Sequence, residues 1–142
     1  MSRVLTASIT ELCGLDHGDD PVALAAWTRN KSVDGVAGML ANVNLHLYVA
    51  TRDDDVLAVG AVTLDGGIAL NYVAPEARFT GISTLLLKSL EAALLAMGHA
   101  EGRLESTQTA MAFYQSRGWV VDGPQAEGRM VNGYPMRKRL GI

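Results

Sequence analysis

One cysteine in 142 residues, Cys13, excludes an intrachain disulfide, and a lone thiol fits a reducing compartment. It reads as a small buried apolar side chain rather than as a nucleophile. An excess of one charge sign is missing too. Twelve Lys and Arg against 15 Asp and Glu leave a net charge of −3, too weakly charged to carry a nucleic-acid footprint. The basic residues Arg129, Arg137, Lys138 and Arg139 read as solvated or strand-edge charges. No apolar run approaches the roughly 20 residues that span a bilayer, and residues 1–10 lack a signal peptide's apolar stretch and cleavage site. A cytoplasmic protein with neither membrane nor nucleic-acid partner is therefore expected. His17 and His99 read as loop residues, and no His, Cys, Asp or Glu grouping has metal-ligand spacing, so no metal is expected. Repeats, low-complexity tracts and linkers are also absent. What is there is ordinary for one soluble domain over residues 1–142, 49% hydrophobic and 19% charged.

The opening is open to two readings, a short strand from Arg3 to Ala7 or a capping box at Ser8-Ile9-Thr10-Glu11. Asp20-Pro21 is a helix start, with the helix running to about Asn30. A second helix begins around Ser32, with Val33, Val36, Ala37 and Leu40 on one side. Residues 45–50 alternate as a strand does. A polar turn at Asp53-Asp54-Asp55 precedes an apolar run over 56–64, as in a central strand covered on both faces. Asp65-Gly66-Gly67 carries hairpin chemistry, returning the chain through a strand at 68–73.

Residues 81–97 are the strongest helix. Ile82, Leu85, Leu86, Leu90, Ala93, Leu94 and Met97 form a core-facing stripe, Lys88 and Glu91 are predicted to face outward, and Gly98 is placed to end it. A strand over 102–105, a helix from Ser106 or Thr107 to Gly118, and strands over 119–121 and 134–140 complete the order. That order makes an α+β fold, a mixed and mainly antiparallel sheet flanked by helices.

The heptapeptide Arg78-Phe79-Thr80-Gly81-Ile82-Ser83-Thr84 leads from a strand into the longest helix. The first turn of a helix carries unpaired N–H groups and the positive end of the macrodipole, a ready seat for a phosphate. Gly81 lets the backbone approach a ligand, and Ser83 is small. Thr80, Ser83 and Thr84 offer hydroxyls, and Arg78 offers charge. The plainer reading makes Thr80 an N-cap and Gly81 an easy turn. A Walker loop is excluded because no Gly-Lys-Ser/Thr follows. A Rossmann fingerprint would need three spaced glycines and a parallel βαβ unit.

The heptapeptide also resembles the cofactor loop of the GNAT superfamily of acyl-CoA-dependent N-acetyltransferases, Arg/Gln-x-x-Gly-x-Gly/Ala, with Ser83 in the last small position. A later block from Ser106 through Thr107, Ala110, Phe113, Tyr114 and Gly118 to Trp119 is similar to the family's Asn/Ser/Thr-x-x-Ala-x-x-Phe-Tyr-x-x-x-Gly-aromatic. Asn71-Tyr72-Val73-Ala74-Pro75 resembles the strand end before the loop. The element order agrees from about Pro21 to Leu140.

The resemblance implies a V-shaped splay between two central strands, with acetyl-CoA as co-substrate. Its pantetheine arm would pair with the backbone around Tyr72, Val73 and Ala74. Its pyrophosphate would rest on the amides from Phe79 through Thr80, Gly81, Ile82 and Ser83 to Thr84. Thr107 would contact the cofactor or cap its helix, with Ala110 and Phe113 beside it. A backbone N–H near Val73 would stabilise the oxyanion. Tyr114 would protonate the departing thiolate, a phenol near 10 being matched to a thiol, or else pack on the sheet.

The base that takes the amine proton is left open among Glu105, Glu76, His46, Tyr72 and a water chain. The leading expectation is an N-acetyltransferase acting on a primary amine of a small molecule or peptide in a ternary complex. A non-catalytic acyl-CoA-binding regulatory module is the alternative. A toxin-like acetylation of aminoacyl-tRNA is disfavoured by the charge. A homodimer is compatible with the resemblance.

Overall fold

The computed structural model describes residues 2–12, 21, 25, 28, 33–53, 55–77, 80–124 and 133–140, with side chains at 8–12, 33 and 34 left aside. Helix α1 (Ser2–Leu12) and helix α2 (Val33–Ala41) precede the strands β1 (Leu45–Arg52), β2 (Asp55–Thr63) and β3 (Gly67–Val73). A 3₁₀ turn (Pro75–Ala77) leads to α3 (Ile82–Ala96), then β4 (Glu101–Ser106), α4 (Met111–Gln115), β5 (Val120–Val121) and β6 (Tyr134–Arg139). The α+β expectation holds: one six-stranded sheet in the order β1-β2-β3-β4-β6-β5, antiparallel at every junction except β3 with β4. The opening segment, ambiguous in sequence, is helical; the helix expected over 20–30 lies largely outside the described residues. Among the described residues no helix is long and apolar enough to cross a membrane.

Two cores cover the sheet's two faces, and β2 divides between them with period two. Leu57, Val59 and Ala61 pack with Val4 and Leu5 of α1 and Val36 of α2. Ala58 and Val62 pack with Leu86, Leu90 and Leu94 of α3 and with Tyr114 and Trp119. The apolar run in β2 is thus a strand buried on both sides, as expected. Arg3 pins α1 to the sheet through the Val56 carbonyl at 3.3 Å and an ion pair with Glu76 at 2.8 Å.

Helix α3 departs from its expected stripe at two places. Leu85 is 62% exposed while Leu87 is buried, so the buried face is rotated toward 86, 87, 90 and 94. Glu91 does not face outward: its carboxylate meets Lys138 Nζ at 2.5 Å, with only 14% of the side chain exposed. The helix ends as expected at Gly98, where the N–H groups of Gly98 and His99 return to the carbonyls of Leu95 and Leu94. The later helix starts at Met111 rather than at 106 or 107, because residues 108–110 form a turn first. Trp119 lies outside β5 and is buried under α4.

One insertion in the register sets up the site. Ala61 lies opposite Leu70 but Val62 opposite Ile68, so Ala69 is an extra residue in β3. Such a bulge bends the strand and exchanges its faces. Ile68 accordingly belongs to the α3 core and Leu70 to the α1 core. Pairing of β3 with β4 consists of Gly67 with Arg103 and Ile68 with Leu104. Strand β4 continues to Ser106 paired with β6, while β3 continues with β2. From the bulge onward the two halves of the sheet part.

Helix α3 can sit close on this sheet because Gly60 lacks a side chain. A Cβ there would lie 2.9 Å from Leu90 Cδ1, and Leu90 is itself fully buried. Gly60→Ala is expected to lower unfolding free energy by about 1–3 kcal/mol through overpacking, measured by urea denaturation. Adding Leu90→Val should return part of that loss; equal stability of Gly60→Ala and wild type would show that α3 does not depend on this approach.

Candidate active site

Where β3 leaves β4, a cavity of about 520 Å³ opens, within the range of small-molecule sites. Its floor is β3 from Ile68 to Val73. Its far wall is Leu104, Glu105, Thr107, Thr109 and Ala110, with Phe113, Tyr114 and Arg117 behind. Gly81, Ser83 and Thr84 close one end. The cavity therefore gathers most of the residues selected from sequence: Tyr72, Val73, Gly81, Ser83, Thr84, Thr107, Ala110, Phe113 and Tyr114.

Others among the selected residues are placed differently. Ala74 is fully buried, and its N–H is spent on the Leu57 carbonyl at 2.7 Å. Ile82 packs into both cores, and Thr80 donates its hydroxyl to the Ala77 carbonyl. None of these three lines the cavity. Arg78 and Phe79 lie outside the described residues.

The bond at Ala74 also tells which way the neighbouring backbone groups turn. Antiparallel ladders alternate hydrogen-bonded and non-hydrogen-bonded pairs. Ala58 faces Val73, Val59 faces Tyr72 and Gly60 faces Asn71. Tyr72 and Ala74 therefore direct their backbone groups at β2, while those of Asn71 and Val73 point to the side that β4 has vacated. A free strand edge of this kind is a template for an extended ligand.

The end of the cavity is the start of α3. Gly81 is its N-cap, with φ 84° and ψ −5°, and no side chain caps the helix. That left-handed conformation suits glycine, and it answers the question about Thr80, which is not the cap. Among the described residues no side chain accepts from the first N–H groups of α3, the arrangement that receives anions. Arg117 stands beside them. Its Nη2 and Nε donate to Thr84 Oγ1 at 2.6 and 3.1 Å, and its guanidinium lies 4.0 Å from the centre of the Phe113 ring. Every acceptor recorded for Arg117 among the described residues is neutral (Thr84 and Ser116 hydroxyls, the Phe113 carbonyl), so its positive charge adds to that of the helix end.

Thr107 does not cap α4, whose N-cap is Ala110 with no side-chain hydrogen bond; its hydroxyl instead accepts the Ala110 N–H at 3.1 Å, closing the turn before the helix, and it lines the cavity as well. Tyr114 sits deeper, 6% exposed and edge-on to Phe113 and Trp119 with centroids 5.4 and 6.1 Å away. Burial pushes its phenol up to about 12, partly countered by a hydrogen bond from Asn71. That is well above the ordinary value near 10 expected from sequence. Asn71 Nδ2 donates to Tyr114 Oη at 3.0 Å.

Of the residues considered for the amine proton, Glu105 and Tyr72 line the cavity. Glu76 is turned to Arg3, and its own backbone N–H, then Arg3, hold its carboxyl below the usual range. His46 stands on β1, two strands away from β3. Asn71 and Arg117 were not singled out from sequence. A lone amide within the apolar run 68–73 was the available signal for Asn71; for Arg117, between Ser116 and Gly118, there was none.

Residues 15–140 match the family model described as an acetyltransferase (GNAT) domain. No curated protein matches the chain in sequence. Solved structures resemble it in fold. The GCN5-related N-acetyltransferase (aminotransferase, class II) from Rhodopseudomonas palustris is 20% identical with a TM-score of 0.83, over 98% of this chain and 87% of that one. PaiA N-acetyltransferase from Thermoplasma acidophilum, in complex with coenzyme A, is 17% identical with a TM-score of 0.78, over 97% and 89%. The ribosomal-protein-S18-alanine N-acetyltransferase from Escherichia coli is 23% identical with a TM-score of 0.61, over 78% of each chain.

Burial of Tyr114 has a consequence for stability. The folded chain keeps this phenol neutral up to about 12, whereas the unfolded chain ionises it near 10. Stability from this group is thus complete below pH 10 and is lost as pH rises from 10 through 12. Wild type should lose more stability than Tyr114→Phe over that window, by roughly 3 kcal/mol, in urea titrations at stepped pH. Parallel decline of the two proteins would contradict the burial.

Proposed function

The chain belongs to the GNAT acetyltransferase family, and we propose that it moves an acetyl group from acetyl-CoA to a primary amine of a small molecule or peptide by direct attack in the cleft. The observation that carries this reading is the cavity itself. It joins a free strand edge at Asn71 and Val73 to an uncapped helix start at Gly81, with a buried phenol between them. That combination suits a long ligand with an amide-bearing arm and a polyphosphate tail, the chemistry of coenzyme A. The coenzyme A complex of the Thermoplasma relative supports it.

In this reading the pyrophosphate takes the N–H groups at the start of α3, with Arg117 adding charge. The arm pairs with the backbone at Asn71 and Val73, which brings the thioester beside Tyr114. Holding both reactants in one cleft supplies much of the rate. The amine attacks the thioester carbonyl, and the Val73 N–H stabilises the oxyanion, worth on the order of 3 kcal/mol. Glu105, the cavity-lining carboxylate among the residues weighed above, accepts the amine proton. As the C–S bond breaks, Tyr114 donates its proton to sulfur.

The direct test is thiol release from acetyl-CoA with a lysine-containing peptide, a peptide with a free N-terminal alanine, spermidine and an aminoglycoside. Turnover on at least one is expected. Tight coenzyme A binding by calorimetry with no thiol release from any of them would instead favour a binding module. Gly81→Asp should weaken coenzyme A binding by about 100-fold through repulsion of the pyrophosphate. A Cβ at Gly81 meets open space, and Asp tolerates a positive φ better than most residues, so its melting curve should stay near wild type. Unchanged affinity would refute the phosphate assignment. Tyr114→Phe should lower kcat by about 100-fold with little change in KM for acetyl-CoA; an unchanged kcat would reduce Tyr114 to packing.

A further inference from the structure

Along β3, between Ile68 and Val73, Asn71 is the one side chain that is neither apolar nor aromatic. Packing alone would be served by leucine at this half-buried place, and an amide with no partner there would cost free energy. The amide has a partner, and the bulge at Ala69 supplies it. With Ala69 inserted, the residues after it exchange faces, so Leu70 and Tyr72 join the α1 core and Asn71 turns to the face that carries α4. There its Nδ2 donates to Tyr114 Oη at 3.0 Å, and both residues line the cavity.

Resting on the acetyl-transfer reading, we infer that Asn71 is a positioning residue for Tyr114: by donating to the phenol oxygen it leaves the hydroxyl's own proton to be aimed at the departing sulfur. A neighbour that accepted from Tyr114 would hold that proton back. When the tetrahedral intermediate collapses, the C–S electron pair goes to sulfur and the phenol proton follows it. The phenolate left behind keeps the Asn71 N–H as donor, the only form of the phenol that such a bond stabilises more than the neutral one. The proton taken from the amine then returns to Tyr114, so the products are the acetylated amine and free coenzyme A thiol. The same bond works against the burial that raises this phenol, and so narrows the gap between acid and thiolate that burial opens.

Two substitutions separate this role from packing. Asn71→Asp keeps the volume and replaces the donor by an acceptor; Asn71→Leu removes polarity altogether. Each is expected to lower kcat by about tenfold or more, with KM for acetyl-CoA within about twofold, on whichever of the four acceptors above turns over fastest. In a Tyr114→Phe background the same substitutions should change kcat by less than about twofold, since Asn71 acts through the hydroxyl. Losses that multiply in the double variants would overturn the inference.

A readout free of turnover uses 15N-labelled protein. The side-chain NH2 pair that vanishes in Asn71→Leu should move in Tyr114→Phe, and an unmoved pair would overturn the bond. Failure of the wild type on every acceptor, with coenzyme A still bound and the pair still moved, would overturn the acetyl-transfer reading. The catalytic part of this inference would go with it, leaving the bond as packing.

Discussion

Everything at the site depends on where β3 stops exchanging backbone hydrogen bonds with β4. The two strands pair only at Gly67 with Arg103 and Ile68 with Leu104. Backbone donors and acceptors are obligatory bonding groups, so a strand that leaves its neighbour in mid-sheet must find another partner. Strand β4 has β6 along its whole length, and β3 has β2 on one side. The other side of β3 faces a cavity. Beyond Ile68 no described strand pairs with that edge, which is both the cost of the splay and the feature that makes the cavity suited to an extended ligand. The bulge at Ala69 lies directly after the last paired residue, Ile68, where a bulge bends its strand.

The same bulge couples the cleft to the core. Tyr114 belongs to the apolar cluster under α3 and also reaches the cavity wall. A phenol in that position is kept neutral far above its ordinary range. Asn71 donates to its oxygen from β3. Arg117 plays a comparable part at the other end, tying the chain just after α4 to Thr84 in the first turn of α3. Two polar links thus bridge the parted halves of the sheet where backbone pairing no longer does.

Much of this was legible from local pattern. The alternation at 45–50, the double-sided apolar run in β2, the glycine hairpin and the long amphipathic α3 all follow from short-range periodicity and turn chemistry. The paired motifs around Gly81 and Tyr114 carry the resemblance to the family, and both reach the cavity. At Leu85 the local pattern falls short, because an i, i+3, i+4 stripe bounds the buried face only to within about one position, and Leu87 is buried instead. Nothing near Glu91 in sequence announces its partner Lys138, 47 residues away. Ala69 is invisible as a bulge: it is one more small apolar residue in an apolar strand, and only the register against β2 reveals it.

By itself, then, the sequence determined the order of elements, the family and the segments that meet at the cleft, since these rest on neighbours within a few positions of one another. Tertiary structure alone decided which backbone groups of β3 face the cavity and which residues stand behind it. Asn71 against Tyr114 and Arg117 against Thr84 are contacts across 43 and 33 residues. They exist because a one-residue insertion and the end of a two-pair ladder set the directions of side chains, and such directions accumulate along the whole sheet rather than being written at any single position.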